Sequence, residues 1–538
     1  MMKADREPVR STDVRRGSTM KKALSLVLSV CLCFSLLLPA FAEDGTQDIP
    51  IITVPGTSNT HILNAAGETI VPDDFDIGAF LRDCAAMEPL LKEFAKAMLT
   101  HRWQKYADML VAALSPIWSP AAFDGNGEPQ HGDRTTWTWT PASVPKKTSG
   151  FREGDYYYRY DWRMDPLETA RDLDAYIDAV LDATGAEKVA LVGRCYGACV
   201  VSAYLTAYGC EKVDTCIMYM PMVTGVETEE ALFTGSIRLN ADTVRMYGEY
   251  WLNEEKPVSD SVLNEFLAAL IPVVYYSGGV HVTAFALEKL IGEFKDLILP
   301  PLIRAGYGTY PGYWAMIGQE RYAEAKAYVL GGVEGEYAGL IEKIDRYHET
   351  VQVPLYETLD ALQGAGMKLN IVTKYGVPTY PYFEGSDYLT DSSNSLTRQS
   401  FGATTSTINT VLPESYLAER RDAGFGVYLS PDGKVDASTC RYPDQTWFFK
   451  DVKHLDMDAT ISSLMTKCAE ATSQLTVFDD PAFPQFMHKD QSGQVVPLTA
   501  DDPSDRKWER VKPFAALRRL MKAFFALVKQ ALAGIGKE

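Results

Sequence analysis

Histidine and cysteine are scarce in this chain of 538 residues, which contains only seven histidines and nine cysteines. No C-x-x-C pair occurs after residue 42, so the paired-thiol spacing of a structural zinc site is missing. The cysteines are also too sparse for a small domain held together by disulfides. We therefore predict no metal and no cofactor, and the few thiols and histidines become the candidates for chemistry.

Positive charge is also in short supply. The chain carries 52 Lys and Arg against 71 Asp and Glu, which gives a net charge of −19. Seven of the basic residues and three of the acidic ones lie in residues 1–42, so the rest of the chain carries −23. Because nucleic acids are bound by basic surfaces, this acidic body argues against a nucleic-acid partner.

The first 42 residues have the pattern of a secretory signal peptide. A basic start, Met20-Lys21-Lys22, precedes an apolar run over 23–38 that is short for a membrane span. Ala40-Phe41-Ala42 then supplies a small-x-small cleavage site. The sequence thus predicts a secreted or cell-envelope-associated protein. Seven cysteines follow this segment, and an odd number leaves at least one thiol unpaired.

Apolar strand candidates alternate with helical patterns in two parts of the chain. The first part has strands near 49–54, 188–192 and 213–220, and the second has strands near 369–372 and 446–452. Strands joined by helices are typical of an α/β fold with a mostly parallel sheet and helices on both faces. The stretch between the two parts is aromatic-rich and helical in pattern, which predicts an inserted lid. The predicted organisation is a signal peptide (1–42), a first core segment (43–224), a helical lid or cap (225–350), a second core segment (351–475), an irregular tail (476–512) and a C-terminal helix (513–538).

The C-terminal helix is amphipathic and basic. Between Pro513 and Ile535, apolar residues such as Phe514, Leu517 and Phe524 share one face. Four basic residues lie mostly on the other face: Arg518, Arg519, Lys522 and Lys529. Two hypotheses remain open. The helix attaches to an anionic membrane or envelope surface, or it docks its apolar face on the body of the protein.

A five-residue motif, Gly193-Arg194-Cys195-Tyr196-Gly197, lies between a predicted strand and a predicted helix. So sharp a turn needs small residues on both sides, because larger side chains would strike the neighbouring strand and helix. The turn also puts Cys195 at a helix N-terminus, where N–H groups and the helix dipole stabilise a thiolate. We therefore predict a nucleophile elbow of the α/β-hydrolase fold, with Cys195 as nucleophile. The alternative is a buried, inert cysteine, which is how we interpret Cys199.

A nucleophile of this kind needs N–H donors for the oxyanion that forms when it attacks a carbonyl. The N–H of Tyr196, the residue after the nucleophile, is one natural donor. The loop after the first strand, Val54-Pro55-Gly56-Thr57, is the expected source of the second. Within that loop we predict the Thr57 N–H.

A base and an acid should follow in the order nucleophile, acid, base. His454 lies in the loop after the last predicted strand and is the predicted base. Asp391, in a Ser/Asn-rich loop beyond the strand at 369–372, is the predicted acid. Asp387 remains an alternative acid, and Asn394 an amide able to orient the histidine.

Three short blocks resemble the lecithin:cholesterol acyltransferase-like branch of the α/β-hydrolase lipases. They are Tyr160-Asp161-Trp162-Arg163, the elbow motif, and Lys453-His454-Leu455-Asp456-Met457. The resemblance implies ester cleavage or acyl transfer, a catalytic triad and a lid over an apolar pocket. The chain departs from the family where Cys195 replaces the usual serine and in the loop Thr57-Ser58-Asn59. Cysteine elbows occur on the same fold in dienelactone hydrolases and polyhydroxyalkanoate synthases.

Together these features predict an exported acyl hydrolase or acyltransferase that acts on a small-molecule or lipid ester through an acyl-Cys195 intermediate. His454 and Asp391 complete the triad. The competing hypothesis is a catalytically inactive protein of the same fold that binds lipid or envelope components. Geometry discriminates between the two, since only the enzyme needs the Cys195 sulfur near His454 with a carboxylate behind the ring.

Overall fold

The computed structural model describes residues 47–57, 59–70, 88–502 and 512–535. The predicted signal peptide at 1–42 lies outside the described residues, as does Cys84. The described strands are β1 (Ile51–Val54), β2 (Ile62–Leu63), β3 (Arg134–Thr135), β4 (Tyr156–Tyr157), β5 (Val189–Arg194), β6 (Val213–Tyr219), β7 (Lys368–Tyr375), β8 (Thr404–Thr405), β9 (Val435–Asp436), β10 (Thr446–Lys450), β11 (Phe486–Lys489) and β12 (Val495–Pro497).

Eight of these strands form one central sheet in the order β12-β11-β10-β7-β6-β5-β1-β4. Every neighbouring pair is parallel except β11 and β12. The described helices are α1 (Glu88–Thr100), α2 (Gln104–Trp118), α3 (Pro166–Thr184), α4 (Gly197–Tyr208), α5 (Glu227–Phe233), α6 (Ala241–Tyr250), α7 (Ser261–Tyr276), α8 (Gly279–Arg304), α9 (Pro311–Trp314), α10 (Gln319–Leu330), α11 (Ala338–Tyr347), α12 (Leu355–Gly364), α13 (Leu396–Gln399), α14 (Glu414–Asp422), α15 (Ala459–Glu470) and α16 (Pro513–Ile535).

The central strands are apolar along their length because the sheet is buried on both faces. In β5, Val189 and Leu191 belong to the core on one face, and Ala190 and Val192 belong to the core on the other. Helices α3 and α4 contribute to the first core and α15 to the second. The predicted α/β class, with a mostly parallel central sheet surrounded by helices, is confirmed.

The region 225–350, between β6 and β7, contains helices α5 to α11 and no strand. It contacts the helix that follows the elbow motif. The Tyr347 hydroxyl donates a hydrogen bond to the carbonyl of Cys199 in α4 at 3.3 Å. The Cys199 thiol lies 3.7 Å from the carbonyl oxygen of Ala315. The helical region therefore packs on the same end of the sheet that carries the elbow.

The segment 476–512 differs from the irregular tail that the sequence predicts. Strands β11 and β12 extend the sheet beyond β10, with Phe486 opposite Phe448 and Val495 opposite Lys489. A turn with Gly493 at a φ of 84° joins the two strands. Each strand has only three or four residues between polar flanks, which is too short for a strand pattern to stand out.

The C-terminal helix α16 packs against α7 of the helical region. Arg519 forms an ion pair with Glu265 at 2.9 Å. Part of the apolar face stays open, since Phe514 is 88% exposed and Phe525 is 63% exposed. Of the described helices, no single one is long and apolar enough to cross a membrane. The consecutive helices α7 and α8, which are bent by 84° relative to each other, together have the length and composition of a broken span.

The first turn of α4 presses against the end of β1, and this contact leaves no room for a side chain at Gly197. A Cβ atom there would collide with the carbonyl oxygens of Val54 and Pro55. Gly193 is almost as confined, because its Cβ would lie 2.9 Å from the Cα of Ala198. Both glycines of the elbow motif are therefore required by close backbone packing.

Replacing Gly197 by alanine should lower the free energy of unfolding by about 3 kcal/mol, because backbone must move to admit the methyl group. Gly292→Ala is the matched control. Gly292 lies inside α8 with open space at its Cβ position, and alanine is favoured over glycine in a helix by about 1 kcal/mol. Urea denaturation measures both variants, and equal stabilities would contradict the close packing at Gly197.

Candidate active site

Cys195 lies between the end of β5 and the start of α4. Its backbone φ is 58°, in the left-handed region that residues other than glycine rarely adopt. The N–H of Cys195 donates to the carbonyl of Tyr219 at 2.8 Å, so the end of β6 holds this conformation. Strained residues that a surrounding structure holds in place cluster at functional sites. Cys195 is only 7% exposed, and its sulfur lies 3.4 Å from the thioether of Met222.

The loop after β1 lies directly against Cys195. A Cβ atom at Gly56 would lie 2.8 Å from the Cys195 sulfur, so a larger residue does not fit. Two side chains fix the loop. The Asn59 amide donates to the carbonyl of Gly56 at 2.7 Å, and the Tyr160 hydroxyl donates to the carbonyl of Pro55 at 2.6 Å.

The two predicted oxyanion donors flank this contact. Tyr196 follows Cys195 at the start of α4, and Thr57 follows Gly56 in the loop. Within the part of the chain that the structure describes, neither N–H donates to a protein acceptor. Unengaged N–H groups beside a nucleophile are what oxyanion stabilisation requires.

His454 and Asp391 form a buried pair. His454 follows β10 and Asp391 follows β7, so both lie at the carboxyl edge of the parallel sheet, where β5 delivers Cys195. The Nδ1 atom of His454 lies 2.6 Å from Oδ2 of Asp391. The backbone N–H of His454 also donates to the Asp391 carbonyl at 2.8 Å. The other carboxylate oxygen accepts the N–H groups of Ser393 and Asn394, each at 3.0 Å.

The charges of three residues meet at the imidazole ring. Burial alone would lower the pKa of His454, but the charges of Asp391 and Cys195 raise it from 6.5 to about 10. Burial would raise the pKa of Asp391, yet the charge of His454 and the hydrogen bonds to the carboxylate lower it overall. Although Cys195 acts on the ring, no hydrogen bond of ordinary geometry reaches the buried Nε2 atom of His454 from any described residue. This nitrogen is therefore available for proton transfer.

The alternative residues have other surroundings. The Asn394 side-chain amide donates to the carbonyl of Pro221 at 3.2 Å. Burial raises the pKa of Asp387. Among the described hydrogen bonds of His454, none involves either residue. Cys199 lies inside α4, where burial raises its pKa far above the usual thiol range.

The helical region contacts the residues next to the elbow. The N–H of Gly312 donates to the carbonyl of Arg163 at 3.0 Å. The rings of Trp162 and Tyr310 pack edge to face, 5.7 Å apart between centroids. A Cβ atom at Gly312 would lie 2.6 Å from the buried Tyr196 hydroxyl. The Tyr196 side chain of the elbow thus packs against the helical region and is shielded from solvent.

Sequence analysis missed the side chains that support the site. Asn59 fixes the loop after β1, Met222 packs on the sulfur, and Lys374 in β7 donates to three carbonyls of the loop that carries His454. Only Lys374 left a signal in the sequence. It lies two residues beyond the predicted strand at 369–372, and a lysine buried there needs partners.

No protein-family model matches the chain, and no curated protein matches it significantly. Among the described residues, no group of three or more His, Cys, Asp or Glu side chains has an arrangement able to hold a metal ion. All six cysteines that the structure describes are free thiols. The function must therefore follow from the geometry of the site itself.

The His454–Asp391 pair should make stability depend on pH. Because the pKa of His454 is raised from 6.5 to about 10, its contribution is complete below pH 6.5 and is lost as pH rises through about 10. Because the pKa of Asp391 is lowered from 3.8, its contribution is present above that value and is lost as pH falls below it. The pair therefore stabilises the folded state most between about pH 3.8 and pH 6.5, where both contributions are complete.

Asp391→Asn should lower the free energy of unfolding by about 3 kcal/mol in that window, since it removes one partner of a buried pair. The deficit should shrink as pH rises through about 10. Asp387→Asn is the control and should show little change at any pH. Thermal unfolding across pH measures both variants, and a deficit for Asp391→Asn that does not vary with pH would contradict the assignment.

Proposed function

We propose that the chain is an exported acyl hydrolase or acyltransferase of the α/β-hydrolase fold, with Cys195 as nucleophile, His454 as base and Asp391 as acid. The observation that carries the proposal is the buried 2.6 Å contact between His454 and Asp391, on a ring whose pKa also responds to Cys195. The positions of the three residues after β5, β7 and β10, in the order nucleophile, acid, base, support the fold assignment. The signal-peptide pattern at 1–42 supports export.

The first half-reaction moves an acyl group onto sulfur. The raised pKa of His454 favours an imidazole that holds a proton at neutral pH. In the proposed step the ring carries the proton that leaves Cys195, so that the sulfur attacks as a thiolate. The sulfur attacks the carbonyl carbon of an ester, and the N–H groups of Tyr196 and Thr57 hold the oxyanion. When the C–O bond breaks, its electrons leave with the alkoxide, which takes the proton from Nε2 of His454.

The second half-reaction releases the acyl group. Water or an alcohol attacks the acyl-Cys195 thioester while His454 accepts its proton. The C–S bond breaks, the electrons return to sulfur, and the product is a carboxylic acid or a new ester. Asp391 keeps Nδ1 of the ring engaged, so that Nε2 faces the reacting atoms throughout.

Esters with an apolar acyl group suit the surroundings of Cys195 best. Cys195 belongs to a buried apolar cluster that also contains Trp162, Met222, Val223 and Tyr310. Such side chains bind apolar groups by removing their surface from water. A lipid ester or a small aliphatic ester is therefore the proposed substrate class.

Cys195→Ala should reduce turnover of a p-nitrophenyl ester by at least about a thousandfold, because the covalent intermediate cannot form. Cys195→Ser should retain part of the activity, since a hydroxyl can take the same place on the elbow. Cys199→Ala is the matched control, because it removes a second buried thiol of the same helix region. Initial rates of ester hydrolysis measure all three variants.

Equal turnover by wild type and Cys195→Ala would contradict the assignment of the nucleophile. A wild-type protein that hydrolyses no ester and forms no adduct with a thiol-reactive acyl probe would favour the competing hypothesis, a non-catalytic lipid- or envelope-binding protein. Asp387→Asn should leave the rate nearly unchanged, whereas Asp391→Asn should lower it strongly through loss of histidine orientation.

Helix α16 is the proposed contact with an anionic membrane or envelope surface. Its outermost apolar residues, Phe514 and Phe525, are exposed, while Arg519 is occupied by Glu265 of α7. Removal of residues 513–538 would disturb both roles of the helix, so a milder change is more informative. Phe514→Ser with Phe525→Ser should abolish co-sedimentation with anionic vesicles and leave the melting temperature almost unchanged. Loss of stability without any wild-type vesicle binding would instead assign the helix to docking alone.

A further inference from the structure

Lys374 lies one residue before the end of β7 and is completely buried. Its Nζ atom donates to three backbone carbonyls of the loop after β10, here named the base loop (residues 453–457). The acceptors are Lys453 at 3.1 Å, His454 at 3.1 Å and Asp456 at 2.7 Å. In the part of the chain that the structure describes, no carboxylate forms an ion pair with this ammonium group. All three of its hydrogen bonds to carbonyls thus go to the backbone of one loop.

The number of donors matches the number of acceptors. An ammonium group has three N–H donors and no acceptor, so each carbonyl receives one hydrogen bond. A neutral amine has two donors and a lone pair, so one carbonyl would lose its partner and face the lone pair instead. A buried carbonyl without a partner costs about 1–3 kcal/mol. The arrangement therefore discriminates between the charged and the neutral lysine.

We propose that Lys374 is a positioning residue of the candidate active site, whose ammonium group holds the base loop so that the His454 imidazole stays beside Cys195. Asp391 binds the ring and the N–H of His454, and Lys374 binds its carbonyl. Both sides of the residue are then fixed. The importance of this role for catalysis rests on the proposed function. The hydrogen bonds from Lys374 to the base loop do not depend on that function.

Opposing groups surround the ammonium. The pKa of Lys374 is lowered from 10.5 to about 7, chiefly by burial and also by the positive charge of Arg194. The negative charges of Asp391, Asp456 and Asp458 act in the other direction. The face of the Tyr219 ring lies 4.8 Å from Nζ and favours the cation. The two neighbouring loops and the end of β6 together leave Lys374 titrating near neutrality.

This balance gives positioning and stability opposite pH dependence. The pKa of Lys374 lies below its ordinary value of 10.5, so the folded state bears the cost of a buried charge below pH 7 and is relieved of it as pH rises towards 10.5. The three hydrogen bonds to the base loop are complete only in the charged form. Rising pH should therefore stabilise the folded state through the loss of the buried charge on Lys374. At the same time it should weaken the hydrogen bonds that hold the base loop and His454 in place.

The decisive experiment follows the chemistry of Cys195 without a substrate. Alkylation of Cys195 by iodoacetamide is measured by mass spectrometry of its peptide, in wild type and in Lys374→Met. Below the pKa of Lys374, wild type should react faster than the variant on the order of tenfold, because loss of placement by about 1 Å is costly. Above that pKa the ratio of the two rates should fall towards one. A ratio near one at every pH overturns the proposal.

Two further variants separate positioning from general stability. Lys374→Arg keeps a charge at all pH values and should restore part of the alkylation rate, including above the pKa of Lys374. Lys434→Met is the matched control, because Lys434 is also buried and its Nζ donates to the carbonyls of Ile408 and Thr410, which lie outside the candidate site. Its alkylation rate should equal that of wild type. A similar loss in Lys434→Met would assign the effect to stability and overturn the proposal.

Wild type alone provides a test if Lys374→Met does not fold. In protein with isotope-labelled histidine, the ring resonances of His454 should show a step with a midpoint near pH 7, apart from the titration of His454 itself near 10. A titration of the Lys374 amine, followed in protein with isotope-labelled lysine, that leaves the His454 ring resonances unchanged overturns the proposal. Ester turnover is scored separately: a wild type that shows the step and the alkylation ratio but hydrolyses no ester contradicts the proposed function and leaves the positioning role intact.

Discussion

The contact between the first turn of α4 and the end of β1 is the constraint on which the candidate site depends. Gly197 lets the helix backbone touch the carbonyl oxygens of β1, and Gly193 lets the strand pass under the helix. Between the two glycines the chain reverses through a left-handed residue, Cys195. Gly56 completes the arrangement by admitting the sulfur beside the next loop. Three glycines thus fix the position of the Cys195 sulfur.

The sequence predicted those parts of the fold and site whose signals are local. The alternation of apolar strands and helices indicated the parallel sheet, and the elbow motif lay where a strand meets a helix. Asp391 and Asp387 share one polar loop, and only the tertiary contact with His454 separates them. The strands β11 and β12 were missed because each has only three or four residues. Lys374 was missed because burial of a lysine depends on carbonyls that a distant loop supplies.

The polar groups behind Cys195 form one connected set. Asp391 receives hydrogen bonds from its own loop and from two nitrogens of His454, the ring Nδ1 and the backbone N–H. The carbonyl of His454 in turn accepts a hydrogen bond from Lys374, which lies on β7, the strand that pairs with β10. Buried polar groups are tolerated only when nearly all are paired, so the unpaired Nε2 of His454 is the exception in this set. The side chain proposed to exchange a proton with this nitrogen is that of Cys195.

The six described cysteines are free thiols, which determines how the fold responds to oxidants and reductants. Since none of them forms a disulfide, the described fold requires no oxidant to assemble and loses no cross-link to a reductant. Cys199, Cys216 and Cys468 are fully enclosed, which protects them from air oxidation. The described fold therefore keeps its thiols without a disulfide framework, and dithiothreitol should preserve Cys195 during purification without destabilising the fold.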